Sequence, residues 1–413
     1  MSATKLTWMS YLIFLFLGGI FISQGILILC LAKTYNINLA NIGYLFFIAA
    51  AMQAVATYAN GFFLEKINLK TEVLIGLITV FISYLFLISG STTLFIIGLF
   101  PLGLGYGLLL SVPNYLIITL YPEKKFQKLN MLNFFFSIGG MLGPLIFGQL
   151  LEINWHWQVV ILLSCVLIVL LGLFTYYIPF GKIDSNINEN VQPEIHSKKS
   201  WHLSIYFLFG AILFYVLSEC IFSTWIVAYL KIKYNFSILD ASLSLTVFWL
   251  FITFGRFASD KIGRYMKIYQ FIICSSLLAF IAYFLMLIIQ NPLVIFIMIA
   301  IMGIGYAGLY ASILSYGVDQ LKYNDPKLMS LLILASTIGT ILAFPISSFF
   351  VRHFSILTAI FLGFLILGGV IVCVILTLYD KKNPAIDYKK QRLWGAITRR
   401  SKIVIIRHIW QRR

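Results

Sequence analysis

One carboxylate, Glu219, lies within an apolar stretch that runs from Phe214 to Leu230. An ionised carboxylate inside a bilayer is costly, so such a residue usually faces a protein interior or a water-filled cavity. With helical spacing, the other polar and aromatic side chains of the stretch share a stripe with Glu219: Tyr215, Ser218, Phe222, Trp225 and Tyr229. The pattern predicts a ligand-facing helix in which Glu219 binds substrate or a proton. A structural glutamate, hydrogen-bonded to a facing helix, is the alternative.

Further polar side chains lie at membrane depth in other apolar stretches. Buried amides offer paired donors and acceptors, which suit hydroxyl-rich or zwitterionic ligands. For each residue, an interhelical hydrogen bond is the alternative to ligand contact. The predicted substrate and proton site comprises Glu219, Gln24, Asn114, Tyr215, Trp225, Tyr306 and Tyr310.

Other motifs point away from enzymatic chemistry. Residues 303–308, GIGYAG, match the GxGxxG pattern of dinucleotide sites, but that pattern needs a strand before it, whereas here it lies in a hydrophobic helix. Small residues that allow close helix packing explain it better. The sequence contains no Walker A motif, no HExxH and no histidine cluster. Its five cysteines each lie in a hydrophobic run, which indicates packing rather than disulfides or metal binding. We therefore expect that the protein is not an enzyme and that it has no catalytic residues, no metal and no cofactor.

The composition is that of a membrane protein. Of the 413 residues, 61% are hydrophobic and 11% charged, with a mean hydropathy of +0.96, whereas soluble domains have about 45–50% apolar and about 25% charged residues. Stretches of about 20 apolar residues span a bilayer, and the sequence has twelve of them. The first reads as a span, not a cleaved signal peptide. The predicted spans are 6–32, 39–64, 71–90, 94–120, 129–151, 157–180, 203–230, 237–259, 268–289, 292–319, 328–351 and 355–379.

The basic residues predict the orientation. With a cytoplasmic N-terminus, the outer loops hold four of the thirty Lys and Arg residues, namely Lys33, Lys231, Lys233 and Arg352, which leaves twenty-six on the inner side. Both termini are then expected in the cytoplasm of a multi-pass protein in the bacterial inner membrane. The net charge of +16 follows from this placement, and we expect no nucleic-acid partner.

The chain divides into two similar halves. Residues 181–200 form a polar run that predicts a cytoplasmic linker between a six-helix bundle at 1–180 and another at 201–380. Gly103 to Gly107 of the fourth span are matched by Gly303 to Ala307 of the tenth, the trace of a duplicated transporter. The basic tail, residues 381–413, predicts either an amphipathic helix on anionic lipids or a solvated cytoplasmic tail.

Two loops resemble the signature of the major facilitator superfamily, a glycine, an acid and then bases in a tight turn. They read GFFLEKINLK after the second span and GRFASDKIGRYMK after the eighth. Such a turn can make a charge-assisted contact in one arrangement of the helices and release it in the other. The expected gating residues are Gly61, Glu65, Arg256, Asp260, Gly263 and Arg264.

The seventh and eighth spans resemble those of the fucose-galactose-gluconate proton symporters, through FYVLSECIFSTWIVAYL and FWLFITFGRF. Within that group, KLTWMSYLIFL and DPKLMSLLILASTIGTILAF look most like TsgA-like proteins. The resemblance implies an all-α major facilitator fold in which two pseudo-symmetric six-helix bundles alternately open a central site. It places Glu219 at the polar position of helix seven, and Gly255 with Arg256 at the end of helix eight. The sugar symporters carry carboxylates in their first and fourth spans, where this chain has Gln24 and Asn114.

These observations predict a secondary active transporter that moves a small organic solute across the inner membrane by alternating access, coupled to protons through Glu219. Its expected partners are the solute, protons and the lipid bilayer, with anionic lipids at the tail, and we expect a monomer. One alternative is an exporter of drugs or of a siderophore-type metabolite. Another is a non-transporting membrane sensor or adaptor that uses the basic tail.

Overall fold

The computed structural model describes residues 2–63, 68–180, 203–262, 265–318 and 326–382, and the expected linker and most of the basic tail lie outside these ranges. The described residues form α-helices and one short 3-10 turn, with no strand among them. The helices are α1 (Ser2–Tyr35), α2 (Leu39–Phe63), α3 (Leu69–Leu87), α4 (Thr92–Leu120), α5 (Lys125–Glu152), α6 (Trp157–Tyr177), α7 (Leu203–Tyr234), α8 (Ile238–Ile262), α9 (Ile268–Ile288), α10 (Pro292–Ala307), α11 (Leu309–Val318), α12 (Pro326–His353) and α13 (Ile356–Lys382).

In the described part of the chain, twelve helical segments are long and apolar enough to cross a membrane, in agreement with the twelve predicted spans. The tenth span differs from the prediction because it consists of two helices. Its first part, α10, ends at Ala307, and α11 begins at Leu309 after the C-cap residue Gly308. A Cβ at Gly308 would lie 2.6 Å from Ser259 Oγ and 2.7 Å from the Phe271 ring, so the break lies where α8 and α9 both pack closely against the tenth span.

Consecutive spans run in opposite directions. We call the side where α1 begins and α13 ends the terminus side, and the opposite side the far side. Spans differ in how much protein surrounds them: 67% of the residues in the most apolar window of α1 are buried, against 22% in α6. Helix α1 therefore lies at the centre and α6 at the periphery, where apolar side chains face lipid.

The two halves repeat the same close helix contacts. A Cβ at Gly103 of α4 would lie 2.2 Å from the Ala49 carbonyl oxygen of α2, and a Cβ at Gly303 of α10 would lie 2.6 Å from the Phe248 carbonyl oxygen of α8. Only glycine allows backbones to approach this closely. The glycine motifs of the sequence thus hold equivalent helix pairs together in the two bundles.

Among the described residues, the most extensive contacts between the two bundles are those of α1 with α7, α2 with α12, and α5 with α8. Towards the far side, the Phe46 and Phe344 rings stack with centroids 6.0 Å apart. A Cβ at Gly25 of α1 would lie 2.7 Å from the Ser223 carbonyl oxygen of α7. The bundles are therefore packed closely against each other on the far side of the membrane centre.

Candidate substrate and proton site

A cavity of about 170 Å³ lies between the two bundles, at the middle of the helices that join them. Helices α1 and α5 of the first bundle and α7, α8 and α12 of the second contribute to its wall. The lining residues are Phe21, Ile22, Gln24, Gly25, Phe136, Val216, Glu219, Cys220, Ser223, Thr224, Trp249, Thr340 and Phe344. Its position between two packed bundles is where a carrier of this architecture binds its ligand.

Glu219 is the acidic residue in the wall of this cavity. It lies on α7, one turn after Tyr215, whose hydroxyl interacts with the carboxylate and also lies 3.5 Å from the Tyr306 carbonyl oxygen. The Arg256 guanidinium of α8 lies close enough to attract the carboxylate electrostatically. A carboxylate with one hydroxyl partner and a nearby cation retains free acceptor positions toward the cavity.

Gln24 faces Glu219 across the cavity from α1. Its side chain is hydrogen-bonded to the Tyr106 hydroxyl, which in turn lies 3.3 Å from the Tyr84 hydroxyl. This chain fixes the Gln24 amide from behind. A second space, of about 10 Å³, adjoins Gln24 and Gln53, and a volume of that size holds about one water molecule.

Tyr306 and Tyr310 lie behind Glu219 instead of in the cavity wall. The Tyr306 hydroxyl is 2.7 Å from Ser218 Oγ, which donates to the Gly363 carbonyl oxygen at 2.6 Å. The Tyr215 ring packs against both tyrosines, with centroids 5.5 Å from Tyr306 and 6.2 Å from Tyr310. These contacts hold α7 against α10, α11 and α13, so the three tyrosines support the carboxylate from within the second bundle.

Asn114 and Trp225 are not part of the cavity wall. The Asn114 amide donates to the Leu110 carbonyl oxygen of its own helix at 2.8 Å. Trp225 is fully buried, and its Nε1 donates to Ser347 Oγ of α12 at 2.7 Å. In this conformation Trp225 bonds to a neighbouring helix, whereas Asn114 bonds to its own helix and makes neither the ligand contact nor the interhelical hydrogen bond considered for it from the sequence.

Sequence reasoning missed the four aromatic side chains of the cavity wall: Phe21, Phe136, Trp249 and Phe344. Apolar residues in apolar helices provide no contrast of polarity, so their spacing gives no signal. Trp249 carries an indole N–H, and Ser223 carries a hydroxyl. Both polar atoms are buried without a hydrogen-bond partner among the described residues, which leaves them available to a ligand.

Arg256 is the expected gating residue whose contacts the structure describes. Its Nη1 donates to the Asn133 carbonyl oxygen at 2.9 Å and to Ser137 Oγ at 2.5 Å, both on α5 of the other bundle. Gly61 lies in the last turn of α2. The remaining expected gating residues are not described: Glu65, Gly263 and Arg264 lie outside the described ranges, and Asp260 lies in α8 without a described side chain.

A second buried carboxylate, Glu72, lies near the start of α3. It is 2% exposed, and neither oxygen has a hydrogen-bond partner among the described residues. Asn60 of α2 is 1% exposed, and its amide is likewise unpaired there. Glu72 does not line the cavity. An acid in the first turn of a helix is typical of a favourable surface charge. The sequence pattern therefore gave no indication that Glu72 is buried.

The described residues contain no group of three or more His, Cys, Asp or Glu that could hold a metal ion. The polar groups of the cavity comprise one carboxylate, one amide, hydroxyls, a thiol and an indole N–H. This set offers hydrogen-bond donors and acceptors and a single ionisable acid.

Solved structures of transporters share this fold. The chain is similar to a variant of the nucleoside transporter NupG, with a TM-score of 0.68, 15% identity and coverage of 92% of this chain and 100% of that one. It is also similar to a bacterial homologue of the human lysosomal transporter Spinster, captured in an inward-facing and occupied conformation, with a TM-score of 0.65, 14% identity and coverage of 92% and 96%.

Sequence comparison identifies relatives and a family. TsgA homologues from Yersinia pseudotuberculosis and Yersinia pestis are both 26% identical to the chain, over 387 and 349 residues, which cover 91% and 83% of this chain and 96% and 87% of the relatives. The family model described as Major Facilitator Superfamily matches residues 9–325. Twelve spans, two pseudo-symmetric bundles and this match agree: the chain is a membrane transporter, not an enzyme, and belongs to the Major Facilitator Superfamily.

Proposed function

We propose that this protein is a proton-coupled secondary transporter that moves a small polar solute across the bacterial inner membrane, with Glu219 as the coupling residue. The observation that carries the proposal is the place of Glu219 in the cavity wall, near the middle of α7 and between the two bundles. A carboxylate there is expensive to bury when charged and much less so when protonated. Uptake of a proton at Glu219 therefore favours closure of the bundles around the site.

The wall of the cavity indicates what the solute must offer. The Trp249 indole N–H is a donor without a partner, so the solute should bring an acceptor. The Glu219 carboxylate accepts hydrogen bonds, so the solute should also bring a donor. The Arg256 charge offsets that of Glu219, which disfavours a large net charge on the solute. An uncharged or zwitterionic compound with an apolar face toward the aromatic rings meets these requirements.

The proposed orientation follows from the positive-inside rule. The order of the spans in the sequence assigns twenty-six of the thirty Lys and Arg residues to the side where the first span begins, which supports a cytoplasmic location of that side. The close packing of Phe46 against Phe344, and of Gly25 against α7, lies on the opposite side. On this reading the structure has its outward path closed, and transport requires separation of α1 from α7 and of α2 from α12.

The test uses purified protein in lipid vesicles. A panel of neutral and zwitterionic solutes is first screened by exchange of labelled compound across the membrane. The best solute is then offered to vesicles with an imposed proton gradient. We expect wild-type protein to accumulate it and Glu219→Gln to lose accumulation by about tenfold or more while retaining part of the exchange, because exchange needs no net proton movement.

Uphill accumulation by Glu219→Gln at the wild-type level would rule out the coupling role. Movement of the solute against the proton flow in intact cells would assign export in place of uptake. Trp249→Phe keeps an aromatic ring but removes the indole N–H, so it should weaken exchange of a solute that needs that donor. An unchanged affinity in that variant would contradict the proposed acceptor on the solute.

A further inference from the structure

Arg256 touches both bundles at once. It belongs to α8 of the second bundle, and its Nη1 donates to the Asn133 carbonyl oxygen and to Ser137 Oγ on α5 of the first. The Ser137 hydroxyl is fully buried and itself donates to the Asn133 carbonyl oxygen at 2.9 Å. The Phe134 and Phe257 rings meet beside this contact, with centroids 5.2 Å apart. Two hydrogen bonds from a cation thus join α5 and α8 on the terminus side.

The same guanidinium is attracted by Glu219 of α7, within its own bundle. A guanidinium has five N–H donors in a planar fork, so it can serve partners in two directions. Its attraction to Glu219 depends on charge, whereas its bonds to a carbonyl oxygen and a hydroxyl do not. Loss of the negative charge on Glu219 therefore leaves α5 as the stronger partner.

Resting on the proton site proposed at Glu219, we infer that Arg256 is a positioning residue that ties the packing of α5 against α8 to the charge on Glu219. With Glu219 charged, Arg256 is drawn toward α7 and its bonds to α5 weaken. With Glu219 protonated, the bonds to Asn133 and Ser137 strengthen and the two bundles are held together on the terminus side. Protonation of Glu219 then changes the contact between α5 and α8 as well as the charge in the cavity.

The groups that surround Glu219 make it the titrating member of this arrangement. Arg256 faces it from α8, while the cavity residues of α1 and α12 contribute amides and hydroxyls, which do not titrate. No titratable residue of α13 is among its described partners. The remaining titratable neighbours carry phenol or thiol groups, which stay protonated at ordinary pH: Tyr215, Cys220, Tyr306 and Tyr310.

The test measures the separation of α5 and α8 without any solute, with protons as the ligand. Spin labels are attached at Met131→Cys and Ala258→Cys, both exposed in the structure, in a background that lacks the native cysteines. Pulsed EPR distances are recorded between about pH 5 and about pH 9, a range that brackets the titration of a buried carboxyl. We expect acidification to raise the ratio of short to long distances by about fivefold or more.

Variants test separately whether Glu219 takes up the proton and whether Arg256 transmits the effect to α5. Glu219→Gln should keep the acid-form ratio of short to long distances at every pH, Arg256→Gln should abolish the pH response, and Arg256→Lys should reduce it because lysine lacks the fork. Thr253→Ala is the matched control, since this buried α8 hydroxyl donates to its own helix at Trp249, and it should respond like wild type. Each variant is first checked for a monodisperse, helical preparation.

Absence of a pH response in wild type would overturn the inference. A normal response in Glu219→Gln would mean that another group titrates, and the proposed proton site would fail. A response that is lost in Glu219→Gln but intact in Arg256→Gln would leave the proton site standing and remove Arg256 from the pathway.

Discussion

The two bundles share their backbone contacts but differ in their buried side chains. Tyr84 and Tyr106 of the first bundle are matched near the same offset by Tyr283 and Tyr306 of the second. In the first bundle the two hydroxyls face each other at 3.3 Å. In the second bundle the two hydroxyls have different partners: Tyr283 donates to the Ile360 carbonyl oxygen at 3.0 Å, and Tyr306 bonds to Ser218.

The ionisable groups differ in the same way. In the second bundle, Glu219 and Arg256 lie at or near the cavity with hydrogen-bond partners around them. In the first bundle the cavity receives the uncharged amide of Gln24, and the buried acid Glu72 lies away from it. Duplication thus preserved the helix scaffold, and the coupling chemistry that we propose belongs to the second copy. Each prediction below compares one feature of the first bundle with one of the second.

The largest difference is expected for the glycines of the α1–α5 and α7–α12 contacts. A Cβ at Gly139 would lie 1.9 Å from the Leu15 carbonyl oxygen, whereas a Cβ at Gly339 would lie 2.9 Å from that of Leu213. Gly139→Ala should therefore lower stability by about 3 kcal/mol or more. In Gly339→Ala the clash is smaller, and the better helix propensity of alanine, about 1 kcal/mol, offsets its cost, so this variant should lose less stability. Thermal unfolding in detergent, followed by circular dichroism, measures the stability of both variants. Equal losses of stability would contradict the expected difference between the two contacts.

A smaller difference is expected for the two tyrosines of the repeat. Tyr306→Phe leaves the buried Ser218 hydroxyl without this partner and should cost about 2 kcal/mol. Tyr106→Phe removes a long contact with Tyr84 and a bond to the cavity-lining Gln24 amide, and it should cost about 1 kcal/mol. The comparison is made by denaturant unfolding in the same detergent. Adding Ser218→Ala should lower the cost of Tyr306→Phe and leave that of Tyr106→Phe unchanged. Identical costs in both backgrounds would show that the Ser218 bond is not the cause.

The smallest difference is expected for two tryptophan hydrogen bonds. Trp157 Nε1 donates to Thr34 Oγ1 at 2.8 Å in the first bundle, and Trp225 Nε1 donates to Ser347 Oγ at 2.7 Å in the second. Double-mutant cycles that combine Trp→Phe with Thr34→Val or Ser347→Ala should each return about 1 kcal/mol of coupling. A coupling energy near zero at one pair alone would show that the halves differ in structural contacts as well as in charge.

The sequence predicted the parts of the molecule that depend on length, composition and repetition. Twelve spans follow from hydrophobic length, and the matched glycines follow from duplication. The break after Ala307 escaped prediction because Gly308 lies in an uninterrupted apolar run, and in the structure Ser259 and Phe271 pack closely against this glycine. Tertiary contacts of this kind leave no local pattern.

The site was predicted in part for similar reasons. Glu219 and Gln24 are polar residues in apolar helices, a contrast that places them toward a cavity, and they line it. The same contrast holds for Asn114, but its amide bonds to its own helix, a choice of rotamer that sequence does not encode. Trp249 and Phe136 line the cavity without such contrast. Glu72 showed no signal because an acid near a loop resembles a surface charge.

The most direct test of the central claim measures protons released or taken up when the identified solute is added to purified protein in weakly buffered detergent solution. Wild type and Glu72→Gln should show the same solute-dependent pH change, and Glu219→Gln should show none, because the linked proton resides on Glu219. A proton signal that persists in Glu219→Gln, or that disappears in Glu72→Gln, would contradict the assignment of coupling to the second bundle.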